Sequence, residues 1–277
     1  MTAEAAAASE ETAQVDVADL ALRLDAAKLK RAIIQARGSL LSFIRFMKPD
    51  NERPDDPELS SYEVTPVATL MCDIMEKVER GELLRVCVSI PPQHGKSEVL
   101  SKNAIAWMAG RKPWLNIMFG TYSQDFAEDF GGEVRDIVGR ARFRQVFPEL
   151  ALRKGEKAKD TLVTTKGGRL NFLGRGGAGT GKPADIFVVD DPLKDDQEAQ
   201  SPTIRKILWN WFNKVSFTRV HKFSAIVIVH TRWHEDDLIG RLVDPSHPEH
   251  DPKIAKNWTY INVPAVVTDA KLAEALG

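Results

Sequence analysis

Only two cysteines occur among the 277 residues, Cys72 and Cys87, and they share no metal-ligand spacing. That excludes a disulfide-stapled scaffold and a cysteine-ligated zinc module, and it fits a reducing cytoplasm. No apolar run approaches the roughly 18 residues that a membrane span requires, so no membrane partner is expected. The opening MTAEAAAASEETAQ has neither a basic n-region nor a continuous apolar core, so it does not read as a secretory leader. Charge of one sign is also missing. With 38 Lys and Arg against 39 Asp and Glu, the formal charge is −1, which excludes wholesale coating of a polyanion while permitting a local basic surface. No internal repeat is visible. What remains, 43% hydrophobic and 28% charged, is an ordinary globular chain, long enough for one large α/β domain or two small ones.

Residues 1–18 are rich in Ala and Glu with few large apolar side chains, and read as a disordered lead. Residues 19–80 read as a helical segment packed on the core. Leu20, Leu24, Leu29, Ile33, Ile34, Leu40, Leu41, Phe43 and Ile44 recur there at helical spacing. The stretch from Lys28 to Lys48 carries Lys28, Lys30, Arg31, Arg37, Arg45 and Lys48 with no acid among them, a pattern better explained by a solvated helix face than by a DNA or partner contact. Residues 49–61 form a polar Pro/Asp loop, and a helix over 66–80 is closed by Gly81. Strand-length apolar runs then alternate with helices across 81–267. The strands are LLRVCVSI (83–90), LNIMFGT (115–121), IFVVD (186–190) and SAIVIVH (224–230), and a hairpin joins 161–165 to 169–173. Helices are predicted over 97–110, 123–139, from Ser201-Pro202 onward, and over 235–243. Wholly apolar strands separated by helices predict an α/β fold, a mostly parallel sheet covered on both faces.

The block SIPPQHGKSEVL (89–100) runs from a buried strand through a turn into a helix. Such a turn aims backbone N–H groups and a helix N-terminus at one point, which suits a phosphate. Pro92, Gln93, His94, Gly95 and Glu98 would frame that point. Lys96 would reach the β- and γ-phosphates and Ser97 would hold Mg²⁺. The match is partial, because Ile90 stands where the full pattern has its first glycine, and a bare Gly-Lys-Ser can also be a turn and helix cap. IFVVDD (186–191) supplies the complement: a buried strand ending in two carboxylates, Asp190 for the metal and Asp191 as the base that activates water. Alone it could be a turn-forming Asp-Asp-Pro. Together the two motifs predict a nucleoside triphosphatase whose phosphate turn and acids converge at the tips of adjacent strands. His230 and Thr231, ending a third strand, are placed to sense the γ-phosphate. His230, His234, Asp236 and Asp237 form a weaker metal-site alternative, while Arg232 and Trp233 can simply anchor the next helix. Residues 173–185 hold five glycines with Arg175 and Lys182, either a mobile surface loop or the seat of a charge-neutralising arginine. Nine Lys/Arg against three acids over 140–169 offer a basic face.

In order, SFIRFMKP, GELLRVCVSIPPQHGKSE, TYSQDFAEDFGGEVRDIV, GTGKPADIFVVDDP and VHTRWHEDDLIGRL resemble the ATPase domain of tailed-bacteriophage terminase large subunits, over about residues 40–267. The resemblance implies a P-loop NTPase core of the additional-strand, catalytic-glutamate type, using ATP and Mg²⁺. It implies a homo-oligomeric ring, a pentamer, that docks on the portal protein of a procapsid in the bacterial host cytoplasm, cooperates with a small terminase subunit and drives double-stranded DNA inward. By residue, it supports Lys96 and Ser97 on phosphate and metal, Asp190 and Asp191 as the Walker B pair, and His230-Thr231-Arg232 as a coupling motif. It makes Arg175 the candidate arginine finger for a neighbouring subunit's site. Two departures stand out: Pro91-Pro92-Gln93 leaves no arginine in the phosphate turn, and Asp191 replaces the usual glutamate. Residues 268–277 are expected to begin a linker toward a nuclease domain absent from this chain. A helicase-like or other additional-strand ATPase, or a non-catalytic nucleotide-binding scaffold, are the competing readings.

Overall fold

A computed structural model of the protein describes residues 17–153, 159–177, 181 and 183–264. The expected lead up to residue 16, Lys182, the linker at 268–277 and the last three residues of the expected core lie outside the described residues. Helices α1 (Val17–Gly38), α2 (Leu40–Met47) and α3 (Pro66–Arg80) come first, so the helix starts at residue 17, inside the expected lead. Ser39 caps α2, and Thr65 caps α3 ahead of Pro66, whose missing N–H costs nothing at a helix start. Gly81 closes α3 at φ 78.

The remainder builds a seven-stranded sheet from β1 (Arg85–Ser89), β2 (Asn116–Thr121), β3 (Thr161–Val163), β4 (Arg169–Gly174), β5 (Ala184–Asp190), β6 (Val220–His230) and β7 (Thr259–Asn262). Their order is β3-β4-β2-β5-β6-β1-β7. Every pairing is parallel except the β3–β4 hairpin. Contrary to the expectation from sequence, the phosphate-turn strand β1 and the acid-ending strand β5 are not adjacent, because β6 stands between them. Register aligns the three tips, with Ser89 opposite His230 and Asp190 opposite Val229.

Alternate residues of these strands serve two cores, which is why they read as unbroken apolar runs. Val86, Val88, Val188, Val227 and Val229 face a layer containing Phe43, Met71, Trp107 and Phe130, contributed by α2, α3, α4 (Ala104–Arg111) and α5 (Gln124–Gly139). Cys87, Phe187, Val189 and Ile228 face Leu208, Trp211 and Phe212 of α8 (Pro202–Arg219) and Leu238 and Ile239 of α9 (Leu238–Val243). Ser201 caps α8, as its Ser-Pro start predicts.

Six elements differ from the sequence reading. The helix expected from residue 97 opens as a π-helix, Ser97–Asn103, before becoming α4. Three short helices, α6 (Ala141–Val146), α7 (Asp196–Gln200) and α10 (Pro252–Ala255), and edge strand β7 carry no periodic signal. β6 begins four residues early, at Val220, because His221 and Lys222 interrupt the apolar run and residues 221–223 are exposed. Leu20 and Leu24 are 55% and 56% exposed, so the start of α1 projects from the body. The basic stretch is partly structural: Arg31 pairs with Glu58, Arg37 donates to Val146 O, and Lys48 Nζ lies 2.8 Å from Glu98. No described helix is long and apolar enough to cross a membrane.

Candidate functional site

Beyond β1 the chain turns through residues 91–96, with Gln93 at φ 65 and Gly95 at φ 72. Glycine reaches that left-handed geometry without a Cβ penalty, which a phosphate-cradling turn exploits. Pro92, Gln93, His94 and Gly95 form an exposed rim, and His94 Nδ1 is 2.8 Å from Pro92 O. Lys96 starts the helix and is 8% exposed.

The lysine joins all three strand tips. Its Nζ donates to Thr231 Oγ1 at 3.0 Å and lies 2.9 Å from Asp191 Oδ2. Thr231 N donates to Asp191 Oδ1 at 3.2 Å, and Thr231 Oγ1 donates to Ile90 O at 3.2 Å. Thr231 thus bridges β1 and β5 from the end of the strand between them. Asp191 itself adopts φ 39 and is held by its N–H on Val229 O at 3.0 Å.

Asp190 is 2% exposed and accepts one hydrogen bond at Oδ2, from Ser101 Oγ at 2.6 Å. Its Oδ1 is buried with no partner among the described residues. Burial first, and then the charge of Asp191, push its carboxyl up to about 6, against the pull of the Ser101 hydrogen bond, the nearby Ser97 hydroxyl and the charge of Lys96. Ser97 is thus a near neighbour of Asp190, as a shared metal would require. An unpartnered buried carboxylate oxygen beside a hydroxyl is a hard oxygen donor set that fits Mg²⁺.

The geometry therefore brings Lys96, Ser97, Asp190, Asp191 and Thr231 together. His230 is buried beside them, with Nδ1 2.9 Å from Thr231 O and Nε2 without a partner among the described residues. Two expected residues have other commitments. Burial alone would raise the Glu98 carboxyl, but Lys48 and Asn103 bind it and hold it below its usual range, so its side chain is engaged with those two residues. Arg175 is paired within its own chain: Nη1 and Nη2 donate to the two carboxylate oxygens of Glu198 at 2.8 and 2.9 Å, and Nη1 also to Pro192 O at 3.0 Å. The alternative metal set is dismantled. Asp236 is taken by Arg205, Arg241 and His247, Asp237 by Arg232 and the α9 N-terminus, and no His/Cys/Asp/Glu metal cluster exists among the described residues. Arg232 is thus an anchor. Sequence reasoning missed Ser101, four residues after Ser97 and legible as a helical repeat, and Glu198, which no local pattern marks.

The profile of the family described as terminase large subunit, T4likevirus-type, N-terminal, matches residues 87–277. No curated protein matches. Among solved structures, the large terminase of bacteriophage HK97 is similar with a TM-score of 0.50 and 15% identity, covering 84% of this chain. This chain spans 45% of that protein's length. The large terminase ATPase domain of Thermus phage P74-26 is similar with a TM-score of 0.43 and 12% identity, over 78% of this chain and 85% of that one. A variant of that domain gives 0.46 and 13%, over 78% and 86%. At these identities the HK97 likeness speaks to fold.

Proposed function

The chain belongs to the terminase large-subunit family, as its T4likevirus-type N-terminal part, and from that premise we propose that it hydrolyses ATP to drive double-stranded DNA into a procapsid. One observation carries the reading: Lys96, Thr231 and Asp191 close a ring of contacts next to a buried Asp190 oxygen that has no partner among the described residues. Bound by Ser97 and Asp190, Mg²⁺ would neutralise charge on the β- and γ-phosphate oxygens.

The residues of the chain supply the rest. Lys96 exchanges Asp191 for phosphate when a nucleotide fills the turn. Freed of the lysine, Asp191 orients water for in-line attack on the γ-phosphorus and accepts its proton. Thr231 touches both partners of the broken pair, so β6 senses the exchange directly. A ring of subunits on the portal, the small subunit and the DNA remain the partners proposed for the whole protein, working in the host cytoplasm.

Phosphate release by Lys96→Ala and Asp191→Asn tests this. Each is expected to lose roughly 10²-fold or more in turnover, the scale of a removed electrostatic or base group. Wild-type turnover in either variant would refute that residue's role.

A further inference from the structure

Arg175, the residue that the resemblance assigns to a neighbour's site, is occupied at home. Its guanidinium, 14% exposed, forms a two-toothed pair with Glu198, itself 21% exposed. The same guanidinium donates to Pro192 O at 3.0 Å, one residue after Asp191. Glu198 Oε2 also accepts from Lys194 N at 2.9 Å. Both groups thus grip the segment 192–194 that leaves the acids.

A second set of contacts reaches Asp191 from the same arginine. Arg175 N donates to Thr121 O at 2.7 Å, and Thr121 Oγ1 donates to Asp191 O at 3.3 Å. Gly174, just before Arg175, packs so tightly on the start of α5 that a Cβ there would collide with Gln124 N. At the far end Trp211 Nε1 donates to Gly177 O at 2.9 Å. The loop carrying Arg175 is therefore fixed on both sides. The segment it grips follows Asp191 at φ 39, a left-handed geometry that non-glycine residues hold only when their surroundings impose it.

We propose that Arg175 and Glu198 are positioning residues acting in their own subunit: a buried-edge clamp that fixes the chain after β5 so that the Asp191 carboxylate points at the attacking water. The clamp rests on the ATPase reading for its consequence but not for its existence. Bidentate Arg–carboxylate geometry suits the task, because it fixes orientation as well as distance. Neither residue touches the phosphate turn, so nucleotide binding is left to Lys96 and its neighbours.

Two measurements on the 277-residue chain test the clamp, using Arg175→Lys, Glu198→Gln and the double variant Arg175→Gln/Glu198→Gln. Without nucleotide, amide exchange over 191–194 is expected to quicken about tenfold or more in each, while exchange in β1 and β2 stays as in wild type. Unchanged exchange over 191–194 overturns the clamp whether or not the protein hydrolyses ATP. With ATP and Mg²⁺, kcat is expected to fall by about tenfold to a hundredfold, with KM kept within about threefold, and the double variant to be no worse than the singles. Wild-type kcat in Glu198→Gln would overturn the positioning role. So would restored turnover on mixing Arg175→Lys with Asp191→Asn subunits, because the arginine would then serve its neighbour. Absence of turnover in wild type itself would refute the ATPase reading and leave the exchange result to decide the clamp.

Discussion

Replacing Asp190 by Asn should make the empty protein more stable while removing its use for a metal. Burial and the neighbouring Asp191 raise the Asp190 carboxyl from 3.8 to about 6. A raised carboxyl means that the charged form is what the fold tolerates poorly. Below the unfolded value the group is protonated in both states and costs nothing. As pH climbs from about 4 through about 6, the folded protein loses stability, and above that window the loss is complete. At about 1.4 kcal/mol per pH unit, the interval amounts to about 3 kcal/mol. The amide introduced by Asp190→Asn keeps an acceptor for Ser101 Oγ and carries no charge, so the variant escapes that loss. For a chain of 277 residues, 3 kcal/mol corresponds to about 5 °C in Tm. Thermal unfolding of both proteins from about pH 4 to about pH 8, without metal, should show curves that coincide at the acid end and separate to about 5 °C at the alkaline end, the variant higher. Magnesium-dependent nucleotide binding, followed by titration calorimetry, should vanish in the variant at every pH. A pH-independent gap, or a wild type that is the more stable at the alkaline end, would refute the claim that this site stores an unfavourable charge for later use.

Two further outcomes follow from packing. Gly174→Ala should destabilise the fold by about 3 kcal/mol or more in denaturant unfolding, since the new methyl collides with the main chain at Gln124, which has nowhere to retreat. Glu79, its carboxylate 1% exposed, holds Arg111 and Lys112, each at 3.1 Å. Glu79→Ala should cost about 2 kcal/mol in the same assay, less than a fully buried pair because both cations are about one-third exposed and can recover water. A cost near zero would show that α3 and α4 are joined by their apolar faces alone.

Much of this was legible in the chain. Apolar runs located four parallel strands, Ser201-Pro202 located the start of α8, and Gly95-Lys96-Ser97 with Asp190-Asp191 marked residues that gather at the strand tips. Strand order was not legible, because each buried strand reads alike whichever neighbour it takes; hence the placement of β6 between β1 and β5 came only from the fold. The edge strand β7 is mostly exposed and so lacks an apolar run. Leu20 and Leu24 show why periodicity predicts a helix but not its burial: their spacing is the same whether or not anything covers them. Glu98 pairs with Lys48, fifty residues earlier, a partner that no local spacing reveals. The pairing of Arg175 within its own chain is hidden for the same reason, its partner Glu198 lying beyond the acids on a helix of five residues.

The contact between Lys96 and Asp191 has a kinetic consequence. Because the lysine is neutralised by the outer carboxylate and the buried Asp190 adds a further negative charge above about pH 6, the site projects no attractive field toward a polyanion at a distance. If the site takes a nucleotide as proposed, capture would proceed by swapping ionic partners at close range, with an expected on-rate that is modest and only weakly sensitive to ionic strength.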